Sequence, residues 1–153
     1  MSFEDSETVG SFATLRFSGS DLDPAVITEI LGVEPTLACV KGARDPVQRK
    51  SGERLSQQGW WFLKTDKLVS SSDLAAHEDA ILRILLSLPV QPHVYALPKD
   101  LGANMQVTLF WFGQFKAQAP TVNPNLLQMV AKLGGELTVN FQTASTSEGV
   151  VAA

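Results

Sequence analysis

The stretch TLACVKGARDPVQRKSGERLSQQGWWFLK, Thr36 to Lys64, decides how this chain is built. Thr36 to Lys41 reads as one strand and Gly59-Trp-Trp-Phe-Leu-Lys64 as the next, and the 18-residue polar stretch Lys41 to Gln58 leads from one to the other. No helix joins the two. A doubly wound parallel sheet needs a crossover at each such step, so successive strands without one favour a largely antiparallel sheet.

Upstream, Phe12-Ala-Thr-Leu-Arg-Phe17 alternates, with Ala13, Leu15 and Phe17 on one side and Phe12, Thr14 and Arg16 on the other. Asp23-Pro24 then supplies a helix cap and a first-turn proline. Val26, Ile27, Ile30 and Leu31 recur at helical spacing, and Gly32 marks the stop. Downstream, Ser71, Ser72 or Asp73 caps a second helix. Leu74, Ile81, Ile84, Leu85 and Leu88 line one side of it, Leu82 and Leu86 widen the stripe, and Pro89 ends it. Residues 91–102 read equally as a short strand or a loop. Met105 to Phe112 (MQVTLFWF) is nearly continuous in apolar residues, as expected of a central strand covered on much of both faces. The opening device then returns. Asn123-Pro124 precedes Leu126, Leu127, Val130 and Leu133, Gly134 stops the helix, and Leu137-Thr-Val-Asn-Phe141 alternates as a last strand.

The order β-α-β-β-α-β-α-β predicts an α+β two-layer sandwich, a mostly antiparallel sheet with helices on one face, of ferredoxin-like variant. The strand, Asx-Pro cap, Leu-Gly stop and strand at each end suggest two related βαβ-like halves, although generic helix punctuation gives the same echo.

With 153 residues and 16.5 kDa the chain makes one domain, expected over 11–142, with loose tails at 1–10 and 143–153. A net charge of −4 and pI near 5.1 argue against a chain that coats nucleic acid. The acidic start MSFEDSETVG does not read as a secretory signal, and export by that route is not expected. Ala80 to Val94 is too interrupted to span a membrane. Cys39 has no second cysteine to pair with and sits among Leu37, Ala38 and Val40, where a thiol behaves as a small hydrophobe. These features predict a cytoplasmic protein.

The phosphate-loop, dinucleotide, nucleophile-elbow and paired-cysteine motifs are missing from the sequence, so neither a cofactor nor a metal is expected. His77-Glu78 begins like a zinc-protease helix, but Ile81 stands where the second histidine is required, which reads as a helix-surface or edge position. His93 reads as structural. Asp21 and Asp23 lack the rest of a calcium loop, and capping accounts for Asp23.

Charge is the anomaly. The connection Lys41 to Gln58 holds Lys41, Arg44, Arg49, Lys50 and Arg54 against Asp45 and Glu53, a net +3, while the rest of the chain carries −7. Such a segment suits an anionic ligand or an acidic partner surface, with Trp60 and Trp61 beside it as a stacking face. The alternative is a solvated excursion with one tryptophan in the core and the other covering a sheet face. Arg16 is the second candidate, a mid-strand cation expected to neighbour Asn140 and Gln142. With one sheet face left uncovered, Arg16, a tryptophan of the pair and Asn140 would line a shallow recognition surface.

LRFSGSDLDPAVITEILGVEPT (Leu15 to Thr36), Lys41-Gly42 opening a basic loop, the Trp60-Trp61 strand and the Leu126 to Phe141 helix-strand unit together resemble the uncharacterised bacterial family called domain of unknown function 4279. The resemblance implies a small intracellular bacterial domain and transfers no catalytic residue. The expected function is a non-enzymatic binding or interaction module that engages an acidic partner or anionic ligand through 41–58. The alternative is an enzyme acting on a phosphorylated or carboxylated metabolite, with Asp21, Asp23 or His93 as acid or base. Homodimerisation through an uncovered sheet face or edge is a third reading.

Overall fold

The computed structural model describes residues 8–47, 55–86 and 102–145. Among these residues, five strands and three helices follow one another as β1 (Thr8–Gly19), α1 (Pro24–Leu31), β2 (Leu37–Cys39), β3 (Gly59–Lys64), α2 (Leu74–Leu86), β4 (Asn104–Gly113), α3 (Pro124–Lys132) and β5 (Glu136–Thr143). A 3-10 turn, Thr65–Lys67, follows β3. The strands form one sheet in the order β2-β3-β1-β4-β5. Three pairings are antiparallel and β4 pairs with β5 in parallel, so the molecule is of the α+β class with a mixed sheet.

The helix boundaries follow from their caps. The Asp23 side chain accepts from the Ala25 N–H ahead of α1, and Gly32 closes that helix in the left-handed region at φ 71°. Asn123 accepts from the Asn125 N–H ahead of α3 in the same manner. The shared punctuation does not extend to pairing. β1 and β2 are parallel but separated by β3, whereas β4 and β5, joined by α3, are direct neighbours.

Period-two alternation on the strands sorts the sheet into two faces. Ala13, Leu15, Phe17, Trp61, Leu63, Met105, Val107, Leu109 and Trp111 form one side of the core. Ile27 and Leu31 of α1, Leu74, Ile81 and Leu85 of α2, and Leu126 and Val130 of α3 form the other. Among the described residues, β4 is therefore covered by helices on one face only. Its other face carries Phe110 and Phe112 half-buried, shielded in part because Phe110 stacks on Phe12 at 4.5 Å.

His77 and Glu78, read from sequence as a surface pair, lie inside at 1% and 3% exposure. Helical geometry places them on the stripe of Leu74, Ile81 and Leu85, and each is satisfied there. His77 Nε2 meets the Ser71 carbonyl at 2.7 Å, so that nitrogen carries the proton and donates. His77 Nδ1 then accepts from the Thr65 hydroxyl at 2.6 Å, while Thr65 Oγ1 accepts the Ala13 N–H at 2.9 Å. Thr65 thus continues the β1–β3 ladder with a side chain where β3 has ended.

Candidate ligand site on the open sheet face

The face away from the helices presents Leu37, Trp60, Phe62, Arg16, Gln106 and Asn140 from successive strands. Arg16 lies on the central strand, directly opposite Phe62 of β3 and Gln106 of β4. Beside it the connection after β2 folds back on itself. Gly42 N–H donates to the Ser56 carbonyl and Ser56 N–H to the Ala43 carbonyl, both at 2.8 Å, and Arg44 bridges Leu55 in antiparallel fashion. Asp45 accepts from the Val47 N–H at 2.9 Å, an Asx turn that fixes the near side of the loop.

Two cavities result. One, of about 420 Å³, is lined by Arg16, Leu37, Asp45, Val47, Trp60 and Phe62. The other, of about 600 Å³, is lined by Arg16, Ser20, Asp45, Trp60 and the run Leu55 to Gln58. Arg16, Asp45 and Trp60 belong to both, so the two form one site with an apolar end and a polar end. Both volumes fall in the range of about 300–1,000 Å³ common to small-molecule sites.

The charges of this site are unspent. Arg16 is half-buried, and its Nε is shut off from solvent without a hydrogen-bond partner among the described residues. Asp45 borders the same two cavities, yet the ion pairs among the described residues are Lys41 with Asp21 at 3.3 Å and Lys64 with Asp66 at 3.5 Å. A guanidinium withdrawn from water without an acceptor is unfavourable, and an anion entering the cavity would supply one.

Of the residues singled out in the sequence, Arg16 and Trp60 meet in this site. Trp61 does not, because alternation turns it to the helix side. It is fully buried there, and its Nε1–H donates to the Thr28 hydroxyl of α1 at 3.0 Å. Asn140 is likewise elsewhere. The parallel register sets it opposite Phe110, and the residue in line with Arg16 and Gln106 is Glu136. Asn140 and Gln142 instead join Phe12, Phe110 and Phe112 around a separate shallow cavity of about 410 Å³. Lys41 is exposed and engaged with Asp21, and Arg44 is exposed on the loop. Arg49, Lys50 and Arg54 lie outside the described residues, as do His93 and the segment 91–101. Asp21 and Asp23 border neither cavity, the first pairing with Lys41 and the second capping α1.

Sequence reading missed Leu37, Asp45, Phe62 and the run Ser56 to Gln58. Phe62 was within reach, since it shares the parity of Trp60 in an alternating strand. Asp45 had counted only as one negative charge in a basic loop.

The fold and site define an α+β domain with helices on one side of its sheet and a loop-bordered cavity on the other. The chain belongs to the family described as Domain of unknown function (DUF4279), whose model matches residues 7–144. No curated protein and no solved structure matches it. Among the described residues, no helix is long and apolar enough to cross a membrane.

Proposed function

We propose that this domain is a non-enzymatic binding module that takes an anionic ligand or an acidic group of a partner on the open sheet face, beside the basic segment 41–58. The observation that carries this reading is the Arg16 guanidinium, half-buried in a cavity it shares with Trp60 and lacking an ion-pair partner among the described residues. Arginine binds planar anions through paired N–H donors, and the flat wall of an adjoining tryptophan restricts the approach. The net +3 of the segment 41–58 favours an anionic ligand or partner over a cationic one. Asp21 and Asp23, two of the three acid–base candidates of the enzymatic reading, lie away from the cavity, and the third, His93, is outside the described residues. The lone, buried Cys39 suits a reducing cytoplasm, as expected of a bacterial intracellular protein.

The test is calorimetric titration of the full chain with small carboxylates and phosphates at low and high salt. Arg16→Gln should abolish binding. Neutralising Arg44, Arg49 and Arg54 together should weaken it and flatten its salt dependence. Binding that survives both changes with its salt response intact would refute the reading.

A further inference from the structure

Two opposite charges border the same pair of cavities and are not bonded to each other. Arg16 approaches from the floor, on the central strand, and Asp45 from the loop. One acceptor of Asp45 is occupied by the Val47 N–H, which anchors the side chain and leaves the carboxylate its remaining lone pairs. Alongside lie Leu37, Val47, Trp60 and Phe62, an apolar wall on the smaller cavity. Leu37 and Val47 are 43% and 58% exposed and Phe62 is half-buried, so the wall is open at these residues, while Trp60 behind them is buried.

Such a site selects against several classes of anion. A dianionic phosphate would meet one described cation and one described anion, so part of its attraction to Arg16 would be cancelled by Asp45. A plain fatty or aromatic acid would satisfy Arg16 and leave Asp45 facing apolar surface. A molecule with separated charges satisfies both groups and leaves neither desolvated alone.

We propose, resting on the anion-binding reading above, that the ligand is a small zwitterion with an apolar body: an α-amino carboxylate of apolar side chain, its carboxylate on Arg16, its ammonium on Asp45 and its side chain against Trp60 and Phe62. The carboxylate and guanidinium meet as planar partners, and the ammonium gives Asp45 the cation it lacks among the described residues.

The experiment is calorimetry on the full chain with L-leucine and L-phenylalanine, and with their N-acetyl and carboxamide derivatives. The free amino acids should bind, and either derivative should bind about tenfold or more weakly. Asp45→Asn should erase the preference for the free amine, weakening the free amino acids and strengthening the N-acetyl compounds, whose carboxylate no longer meets a like charge. This substitution sits on a loop, and circular dichroism verifies its fold. Equal binding of free and N-acetylated forms, lost in Arg16→Gln, would overturn the zwitterion and leave the anion site standing. Absence of binding by the free amino acids and every N-acetyl form would overturn the zwitterion assignment outright. Capture of other anions, dependent on Arg16, would then show that the broader reading survives.

Discussion

Glu78 Oε2 accepts the backbone N–H of Asn123 at 2.7 Å, fastening the buried middle of α2 to the residue that caps α3, 45 positions later in the chain. The bond places a carboxylate at the start of α3, where helix N–H groups favour negative charge. The same carboxylate is almost fully buried. Burial raises its pKa above the ordinary value, the Asn123 bond opposes that rise, and Asp79 and Asp73 add to it.

A carboxyl with a higher pKa in the folded than in the unfolded chain holds its proton more tightly when folded. Its contribution to stability is therefore fully present below the unfolded value of about 4.3 and is lost as pH rises through the folded value. Glu78→Gln keeps an oxygen for the Asn123 N–H and does not titrate. Thermal melts of both proteins should show the variant gaining on the wild type as pH rises from about 4, until the folded pKa is passed. A difference between the two that stays constant over this window would contradict the assignment.

Thr65 supplies the next prediction, because one hydroxyl serves two buried partners, Ala13 N–H and His77 Nδ1. Thr65→Val keeps the shape and removes both bonds, and should cost about 1–3 kcal/mol or more in urea unfolding. Thr65→Ser restores the hydroxyl and should recover most of that loss. A valine variant as stable as the wild type would show that the chain of bonds contributes nothing.

Much of this architecture was legible because local chemistry wrote it. Asx-Pro caps and the glycines after Leu31 and Leu133 bound α1 and α3, and turn residues bound β3 at Gly59 and Lys64. Readings failed where residue type was taken as position. His77 and Glu78 occupy core positions of α2 by spacing and were set outside by polarity. Strand order and register depend on contacts far apart in sequence. Nothing within β5 announces that it lies parallel to β4 with Glu136, rather than Asn140, in line with Arg16. The site is half legible for the same reason. Arg16 and Trp60 stand out as residue types, whereas Asp45 gains meaning only when the loop returns it to their cavity.

Where β1 and β3 end together, Gly19 faces Gly59, and each is approached by other backbone. A Cβ on Gly59 would collide with the Leu22 carbonyl oxygen, which belongs to backbone and cannot swing aside. Gly59→Ala should therefore destabilise by about 1–3 kcal/mol, as overpacking does. Gly10, in the same sheet, has open space where its Cβ would stand, and Gly10→Ala should be within about 0.5 kcal/mol of wild type. Chemical denaturation of the two variants decides it, and equal losses would mean that the approach at Gly59 is not limiting.

The three tryptophans allow occupancy of the site to be read directly. Trp60 borders both joined cavities, while Trp61 and Trp111 are buried on the helix-covered face. A ligand without a chromophore, such as L-leucine, should alter the emission of Trp60 by placing new charges and an apolar side chain beside the indole. The titration should saturate at the calorimetric affinity. Trp60→Phe keeps an aromatic wall and should bind with the emission change abolished. A full fluorescence response in that variant would place the ligand away from Trp60, and with it away from Arg16 and Asp45, because the three share one cavity.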